Sequence, residues 1–216
     1  MRRRAIVAGA TGLVGREVVK LLLDDPDVIS VVALTRQPLG IPHPKLSEAL
    51  IAFEHLDDFA SPAVDDYFCC LGTTMRKAGS REAFRRVDFE YPVAIARMAL
   101  AAGATRCFFV SSAGADPMSR VFYTRTKGEL EVEIARLPFR TVVAFRPSLL
   151  DGDRAEYRFG ERMALAVLRP LSSVVPEKFR PIGSAAVARA MVAAARADEA
   201  GRFVVESDAI PGLAAG

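Results

Sequence analysis

The sequence predicts an α/β protein with a doubly wound parallel sheet and a small C-terminal appendage. Up to residue 150, short apolar runs alternate with amphipathic helical segments, which is the pattern of parallel strands joined by crossover helices. Several of these runs end in glycine, serine or threonine, the small residues expected where ligands meet an open sheet. Beyond Asp151 the alternation changes. We therefore expect a single domain over 1–216 that includes a substrate-side lobe at 151–210.

The first strand and the first helix are joined by a glycine-rich turn. Ala5–Ala8 is a short apolar run bounded by glycine, which predicts a buried strand. Gly9, Gly12 and Gly15 follow at a spacing of three, and the helix after them would aim its free N–H groups at a phosphate. This context favours dinucleotide binding, the alternative being a plain strand–turn–helix connection. The residues expected at the dinucleotide are Gly9, Thr11, Gly12, Leu13, Val14 and Gly15.

The end of the second strand bears on the choice of cofactor. This strand is predicted over Ser30–Leu34 and is followed by Thr35 and Arg36. In a dinucleotide-binding sheet this end meets the adenosine ribose, where an acidic residue would bind a free 2′-hydroxyl. An arginine instead presents a planar set of donors that suits a 2′-phosphate. The sequence therefore favours NADP(H) over NAD(H), the alternative being a solvated surface arginine at Arg36.

The remaining elements follow from short apolar runs and helical periodicity. Met75–Ser80 is predicted to be a flexible basic loop, and Ile210–Gly216 a frayed tail. Pro92 predicts a break or kink in the long helix that contains it. Strands are predicted over Ala49–Phe53, Tyr67–Leu71, Cys107–Val110, Thr141–Phe145 and Phe203–Glu206, and helices over Arg81–Ala102, Tyr123–Leu137 and Ala185–Ala197.

One pair of residues carries acid–base chemistry. Tyr123 and Lys127 are four residues apart in a predicted helix, so both side chains lie on one face. An ammonium one turn away favours the phenolate form of a tyrosine, and the same lysine can hold ribose hydroxyls. Ser111 and Ser112 end the preceding strand, where a hydroxyl would hydrogen-bond a substrate oxygen; their register is open because neighbours in a strand face opposite ways. The alternative is an exposed lysine at a chance spacing.

Three motifs together resemble the short-chain dehydrogenase/reductase superfamily: the turn from Gly9 to Gly15, the pair Ser111–Ser112, and Tyr123 with Lys127. The glycine spacing is similar to that of extended and atypical members. More narrowly, four ordered stretches are similar to the family of the Tat-interacting, NADPH-binding protein and its bacterial relatives, and the likeness covers nearly the whole chain. The stretches are Leu71–Thr74 with Lys77–Gly79, Ser111–Asp116, Lys127–Glu129, and Arg146–Pro147 with Asp153–Arg154.

The resemblance implies a Rossmann-type sheet with NADP(H) at its carboxyl edge and Ser112, Tyr123 and Lys127 in the catalytic roles. It also implies that the segment after the sixth strand, Pro147 to Leu150, lines the nicotinamide pocket. Extended members that act on nucleotide sugars carry a long C-terminal domain, whereas sixty-odd residues follow Asp151 here, so such a substrate is not expected. The residues expected at the cofactor beyond the first turn are Arg36, Leu71, Gly72, Thr73, Tyr123, Lys127, Pro147 and Leu149.

Three functional hypotheses follow. The first is an NADP(H)-dependent oxidoreductase that acts on a carbonyl or hydroxyl of a small molecule. The second is a regulatory or binding protein that senses NADPH, which needs the glycine turn, Arg36 and Lys127 but no turnover. The third is a sugar-nucleotide epimerase or dehydratase. Loss of an activity on changing Tyr123 to phenylalanine, with cofactor affinity intact, would favour the first over the second.

The amino-acid composition limits which binding partners and which cellular compartment are expected. The chain has 216 residues with 51% hydrophobic and 25% charged residues, which are values of a globular domain. A net charge of +3 without a basic stripe argues against nucleic-acid binding, and no stretch is long enough to span a membrane. Cys69, Cys70 and Cys107 lie in apolar runs, so we expect free thiols in a reducing, cytoplasmic compartment. His43 and His55 lack metal-ligand spacing, so no metal is expected.

The C-terminal lobe leaves two alternatives open. Its charged residues fit a substrate wall and a solvated face equally well. The amphipathic stretch Glu161–Leu168 fits a helix that covers the core, and it also fits a homodimer contact. The charged residues are Arg154, Glu156, Arg158, Glu161 and Arg162.

Overall fold

The structure, a computed structural model, describes residues 2–151 and 180–215. Its strands are β1 (Arg3–Ala8), β2 (Val28–Thr35), β3 (Leu46–Leu50), β4 (Asp66–Cys69), β5 (Arg106–Val110), β6 (Thr141–Arg146), β7 (Leu150–Asp151), β8 (Ile182–Gly183) and β9 (Gly201–Glu206). Its α-helices are α1 (Leu13–Asp24), α2 (Met75–Ala78), α3 (Arg81–Arg85), α4 (Tyr91–Ala101), α5 (Phe122–Arg136), α6 (Ser184–Ala197) and α7 (Ile210–Leu213). A 3₁₀ segment covers Phe53–Asp58, and one turn of π-helix covers Arg86–Glu90.

The main sheet has seven strands in the order β3-β2-β1-β4-β5-β6-β9, and every neighbouring pair is parallel. The strand order reverses at β1, with β2 on one side and β4 on the other. In open α/β sheets ligands bind beyond the carboxyl ends of the strands at such a reversal. The predicted fold class, a doubly wound parallel sheet of Rossmann type, is confirmed, and its topology places a ligand site beyond β1 and β4.

Two helical layers cover the sheet. On one face α1 and α6 pack against each other, with Leu22 and Met191 buried in a shared cluster. On the other face α4 and α5 bury Ile95 and Ile134 against the opposite side of the strands. The central strands β1, β2, β4, β5 and β6 are mostly buried because both faces of the sheet are covered there, whereas the edge strands β3 and β9 are partly exposed. None of the helices within residues 2–151 and 180–215 is long and apolar enough to cross a membrane.

The described part of the predicted C-terminal lobe belongs to the main layers. Helix α6 packs on α1, and β9 extends the sheet by pairing with β6. The stretch Glu161–Leu168 and the five charged residues expected at a substrate wall or a solvated face lie outside the described residues, as do Asp153 and Arg154 of the resemblance.

Two segments predicted to be irregular are helical. Met75–Ala78 forms the short helix α2, because the hydroxyl of Thr74 accepts a hydrogen bond from the backbone N–H of Lys77 and so caps its first turn. Ile210–Leu213 forms α7, and Ile210 is completely buried. The predictions of a flexible loop and of a frayed tail are therefore wrong for these residues, since a cap and a buried side chain fix them.

Two further differences concern element boundaries. The third strand lies at Leu46–Leu50 rather than Ala49–Phe53, because Leu46 pairs with Val31 of β2 and the chain then turns into the 3₁₀ segment. The helix predicted over Arg81–Ala102 is interrupted by the π-helical turn just before Pro92, which lies in the first turn of α4. Pro92 thus follows directly on a turn in which the regular α-helical hydrogen-bond pattern is already interrupted.

Candidate cofactor and active site

The glycine turn between β1 and α1 is shaped by close backbone contacts. Gly9 has φ +82°, and a Cβ built on it would lie 2.5 Å from the carbonyl carbon of Cys70. A Cβ built on Gly15 would lie 2.1 Å from the carbonyl oxygen of Gly9. Helix α1 begins after Gly12, which offers no side-chain cap to the first N–H groups. No side chain therefore caps the first N–H groups of this twelve-residue helix, and an anion could bind at its positive end without displacing a side chain.

A cavity of about 690 Å³ lies at this end of the sheet, a size typical of small-molecule sites. The start of α1 forms one wall, and the loop after β4, α5 and the segment after β6 form the others. Of the residues expected from sequence at the cofactor or in catalysis, those lining the cavity are Gly12, Leu13, Val14, Leu71, Gly72, Thr73, Tyr123, Lys127 and Leu149. Those outside the lining are Gly9, Thr11, Gly15, Arg36, Ser112 and Pro147.

Lys127 is not a free ammonium in this cavity. Its Nζ lies 2.8 Å from Oδ1 of Asp88, and both side chains are buried. The other oxygen of Asp88, Oδ2, accepts a hydrogen bond of 2.9 Å from the backbone N–H of Thr73. Asp88 therefore ties the lysine of α5 to the loop after β4. Sequence reasoning missed this residue, which lies in the π-helical turn and carries no motif that would mark it.

The ion pair keeps Lys127 charged. Burial by itself lowers the pKa of Lys127, but the charge of the Asp88 carboxylate and its hydrogen bond to the ammonium offset that effect, so the pKa lies above its ordinary value. A cation at this position can donate hydrogen bonds to a ligand in the cavity and still remain paired, because an ammonium has three donors.

Tyr123 lies one turn before Lys127 on α5 and lines the same cavity. Its ring packs against Phe84 of α3, with ring centroids 5.5 Å apart. This contact orients the phenol by packing, because a tilted aromatic pair has a preferred geometry. The structure thus brings the predicted tyrosine and lysine together at the sheet edge.

The two serines after β5 face different surroundings. Ser111 is buried, lines the cavity, and donates its hydroxyl proton to Oε1 of Glu131. Ser112 lies outside the lining, and its hydroxyl donates to the adjacent Ala113 carbonyl at 3.2 Å. Glu131 is itself held by Arg146, with N–O distances of 2.9 and 2.6 Å. A serine has one hydroxyl proton, so Ser111 in this arrangement can accept a hydrogen bond from a ligand but not donate one.

Further basic side chains near the cofactor-binding turn or the cavity are Arg36, Arg76 and Lys77. Arg36 is exposed, follows the last residue of β2, and has no hydrogen bond or ion pair within residues 2–151 and 180–215. Because Leu34 pairs with Ala8, Arg36 emerges beside the glycine turn. Arg76 and Lys77 lie on α2 and line the cavity directly. The mouth of the site is therefore electropositive, which suits a phosphate-bearing ligand.

The residues present fit a nicotinamide dinucleotide. The backbone at Gly9 and Gly15 leaves no room for a side chain, and the uncapped start of α1 faces the cavity. Close backbone packing and an open helix N-terminus are what a pyrophosphate requires. Within the described residues, no group of three or more His, Cys, Asp or Glu side chains could hold a metal ion.

Comparisons with known proteins found a matching family model and similar proteins. The model of the NAD dependent epimerase/dehydratase family matches residues 5–133. Protein HTATIP2 of Rattus norvegicus is 36% identical over 168 residues, covering 75% of this chain and 69% of that protein. Protein FMP52, mitochondrial, of Coccidioides immitis is 36% identical over 171 residues, covering 73% of this chain and 70% of that protein.

Solved structures share the fold at low identity. MoeE5 in complex with UDP-glucuronic acid and NAD superposes with a TM-score of 0.71 at 20% identity, covering 93% of this chain and 75% of that one. The Bordetella bronchiseptica enzyme WbmH in complex with NAD⁺ gives a TM-score of 0.69 at 15% identity, covering 96% of this chain and 76% of that one. At these identities the likeness is one of fold.

The relatives overturn one expectation. A cytoplasmic location was predicted from the three cysteines in apolar runs. That prediction is wrong on this comparison, because related proteins from Coccidioides immitis, Candida albicans and Eremothecium gossypii are named as mitochondrial. Buried thiols indicate a fold without disulfides, but they do not distinguish one reducing compartment from another.

Proposed function

We propose that this chain, which belongs to the NAD dependent epimerase/dehydratase family, is an NADP(H)-binding oxidoreductase of the short-chain type. Its substrate would be a small molecule with a carbonyl or hydroxyl group. The observation that carries the proposal is that one cavity is lined both by the start of α1 and by Tyr123 and Lys127. A phosphate-binding helix end and an acid–base pair in one cavity meet the requirements of cofactor binding and proton transfer together.

Each group in the cavity has a role in this proposal. The backbone of Gly12 and Leu13 would bind the pyrophosphate, and Lys127 would donate to the ribose hydroxyls beside the nicotinamide. Tyr123 would exchange a proton with the substrate oxygen. The cofactor, when bound, supplies or accepts the hydride. Leu71, Gly72, Thr73 and Leu149 would contact the cofactor from the loops after β4 and β6.

The substrate-binding serine in this proposal is Ser112, although Ser111 and not Ser112 lines the cavity, so the Ser112 hydroxyl must turn toward the cavity to meet a substrate. The Ser111 proton is held by Glu131, whereas the Ser112 hydroxyl makes a single 3.2 Å bond to its neighbour's carbonyl, which rotation about one side-chain torsion would release. Ser112→Ala and Ser111→Ala form a matched pair of variants. We expect Ser112→Ala to raise KM and lower kcat, and Ser111→Ala to have the smaller effect. The reverse order would give the role to Ser111.

The preference for NADP(H) rests on Arg36. It emerges beside the glycine turn, is exposed, and is not engaged by any described residue. A guanidinium with open donors can bind a 2′-phosphate through two parallel hydrogen bonds, and bonds to a charged group contribute about 1.5–3 kcal/mol. That range corresponds to an affinity difference of about tenfold to a hundredfold.

Calorimetric titration with NADPH and NADH tests the proposal. The wild type is compared with Arg36→Ala and with Lys20→Ala, which removes an exposed cation of α1 whose one ion pair among the described residues is with Glu17. We expect Arg36→Ala to lose about tenfold or more in NADPH affinity and little in NADH affinity, and Lys20→Ala to change neither. Equal losses for both cofactors would refute the NADP preference. No binding of either cofactor to the wild type would refute the proposed function.

A measurement of turnover distinguishes the oxidoreductase from a protein that only binds NADPH as a sensor. A panel of small aldehydes and ketones, each assayed with NADPH, is run against the wild type and Tyr123→Phe. We expect turnover that Tyr123→Phe removes while its NADPH affinity is unchanged. Cofactor binding without any turnover that depends on Tyr123 would favour the NADPH-sensing protein instead.

A further inference from the structure

Strand β9 forms one edge of the main sheet and leaves its outer side open. It pairs with β6 and has no other strand partner within the part of the chain that the structure describes. The N–H of Gly201 donates to the carbonyl just before β6. Backbone groups of successive residues point alternately to the two sides of a strand, so those of Arg202, Val204 and Glu206 point away from β6. This edge therefore offers N–H and C=O groups to another strand.

The side chains of the same three residues share one face of the sheet and are exposed. Val204 is 51% exposed, although the residues on either side of it pack against the core on the other face. Arg202 donates a hydrogen bond of 3.1 Å to the carbonyl of Leu137 at the end of α5, and it pairs with no carboxylate of the described residues. Glu206 is half exposed and uses one carboxylate oxygen for Arg146. The outer edge thus carries a cation, an apolar side chain and an anion at equal spacing.

This order makes the edge complementary to a copy of itself. If a second β9 runs antiparallel to the first and Val204 lies opposite the partner's Val204, then Arg202 lies opposite the partner's Glu206. The two-fold axis repeats that ion pair on the other side of Val204. Side chains directly opposite each other in an antiparallel pair share a face, and opposite charges there attract. A parallel pairing in the same register would instead set Arg202 against the partner's Arg202.

The other edge of the sheet lacks this symmetry. Strand β3 contains one charged residue, Glu48, whose carboxylate accepts the backbone N–H of Leu39. An antiparallel pair of β3 strands would therefore bring no opposite charges of the strands together. Leu50 of β3 is 58% exposed, close to the value for Val204, and so provides a matched control position.

We propose that two copies of this chain associate through β9, with the strands antiparallel about a two-fold axis at Val204. The seven-stranded sheet of each copy then continues into that of the other. Such a contact uses the same surface on both copies, so assembly stops at a dimer. The surface differs from the stretch Glu161–Leu168 considered from sequence, and the proposal is independent of the proposed function.

Sedimentation equilibrium of the full chain, without cofactor, tests the association. We expect a dimer for the wild type and for Leu50→Lys. We expect Val204→Lys to weaken association about tenfold or more, because it sets two ammonium groups against each other at the axis. A wild type that stays monomeric up to about 0.1 mM, or equal effects of Val204→Lys and Leu50→Lys, would overturn the proposal.

Charge reversal tests the pairing of the two side chains. Arg202→Glu and Glu206→Arg each place two like-charged pairs in the contact, and we expect each to weaken association about tenfold. The double variant restores opposite charges, and we expect its dimer affinity to return toward that of the wild type. A purely structural effect of the single variants would add up in the double variant, which would contradict the pairing.

A cysteine at the axis tests the register with a small change. In this pairing the two Cα atoms of residue 204 lie about 5.5 Å apart, which is within the range of a disulfide. We expect Val204→Cys to form a disulfide-linked dimer on mild oxidation and Leu50→Cys to remain unlinked. Cys69 and Cys107 are buried and Cys70 is partly buried, which limits background linking. Equal linking of the two variants would overturn the register. Because these measurements contain no NADPH, a dimer that binds no cofactor would refute the proposed function and leave this contact intact.

Discussion

Gly15 lies directly against the carbonyl group of Gly9. A Cβ at Gly15 would be 2.1 Å from that oxygen and 2.7 Å from its carbon, distances that no side chain can occupy. The start of α1 is therefore packed onto the end of β1 without any intervening side chain, and this contact fixes the backbone that faces the cavity.

Gly15→Ala should remove cofactor binding and destabilise the fold. The methyl group must push α1 away from Gly9, and overpacking of this kind costs about 2 kcal/mol or more. Gly183→Ala is the matched control, because a Cβ there meets nothing within 4 Å and its φ of −71° suits alanine. Urea unfolding and an NADPH titration of both variants check the prediction. A Gly15→Ala protein that binds NADPH as the wild type does would contradict the assigned role of the turn.

Asp66, at the start of β4, should make stability depend on pH. Burial raises its pKa to about 6, although Arg106 and Arg3 pair with it and act in the opposite direction. Its Oδ1 accepts a bond of 2.6 Å from Arg106, whereas Oδ2 has no hydrogen-bond partner within the described chain. The folded state therefore binds this proton more tightly than the unfolded state, in which an aspartate titrates near 3.9.

Protonation of Asp66 stabilises the fold in acid, which is opposite to ordinary acid denaturation. The contribution of Asp66 is fully present below about pH 4 and is lost as the pH rises through about 6. Two units of pKa correspond to about 3 kcal/mol, so the wild type should gain up to that amount over Asp66→Asn between about pH 7 and about pH 4. Asp25 and Asp65 have lowered pKa values, so their contributions to the free energy of unfolding are lost in acid. That loss is the same in the wild type and in Asp66→Asn and cancels in the comparison. A difference that is constant with pH would contradict the prediction.

The ion pair between Glu131 and Arg146 should matter more than an exposed one. Both side chains are largely buried, and Arg146 also pairs with Glu206 of β9. Arg146→Met should lower the free energy of unfolding by about 3 kcal/mol, because it leaves a carboxylate buried without its partner. Arg97→Met breaks the exposed pair with Glu133 and should cost less than about 1 kcal/mol. Equal losses in urea unfolding would show that the carboxylate of Glu131 is satisfied without Arg146.

The cysteines should be slow to react with thiol reagents. All three are free, and burial raises the pKa of each thiol. A buried thiol is mostly protonated at neutral pH and cannot act as a nucleophile. We expect slow labelling of the native protein that begins at Cys70, which lines the cavity, and fast labelling of all three thiols in urea. Peptide mapping identifies the labelled site, and added NADPH should slow labelling at Cys70.

The features that could be predicted from sequence were those with a local pattern. The turn from Gly9 to Gly15 sits between an apolar run and a helical period, and Tyr123 with Lys127 needs only one helix to share a face. Strand–helix alternation likewise indicated the parallel sheet. Each of these follows from neighbours in the chain.

The features that sequence reasoning missed depend on contacts between distant segments. Asp88 meets Lys127 only because the π-helical turn and α5 pack side by side at the sheet edge. The hydroxyl of Ser111 is bound by Glu131, twenty residues away, and no local signal separates Ser111 from Ser112. Thr74 caps α2 in a stretch whose basic residues suggested a loop.

The packing of α6 on α1 has a consequence for how the protein becomes functional during synthesis. Arg3 of β1 donates to the carbonyl of Ala195, 192 residues later in the chain, and the buried side of α1 is completed by α6. Contacts of such high sequence separation close late in folding, because the intervening loop must be ordered first. The helix that would receive the pyrophosphate is thus left uncovered on a nascent chain until α6 has emerged from the ribosome. Cofactor affinity would then depend on the presence of α6, and ribosome-bound fragments that end before residue 184 should not show it.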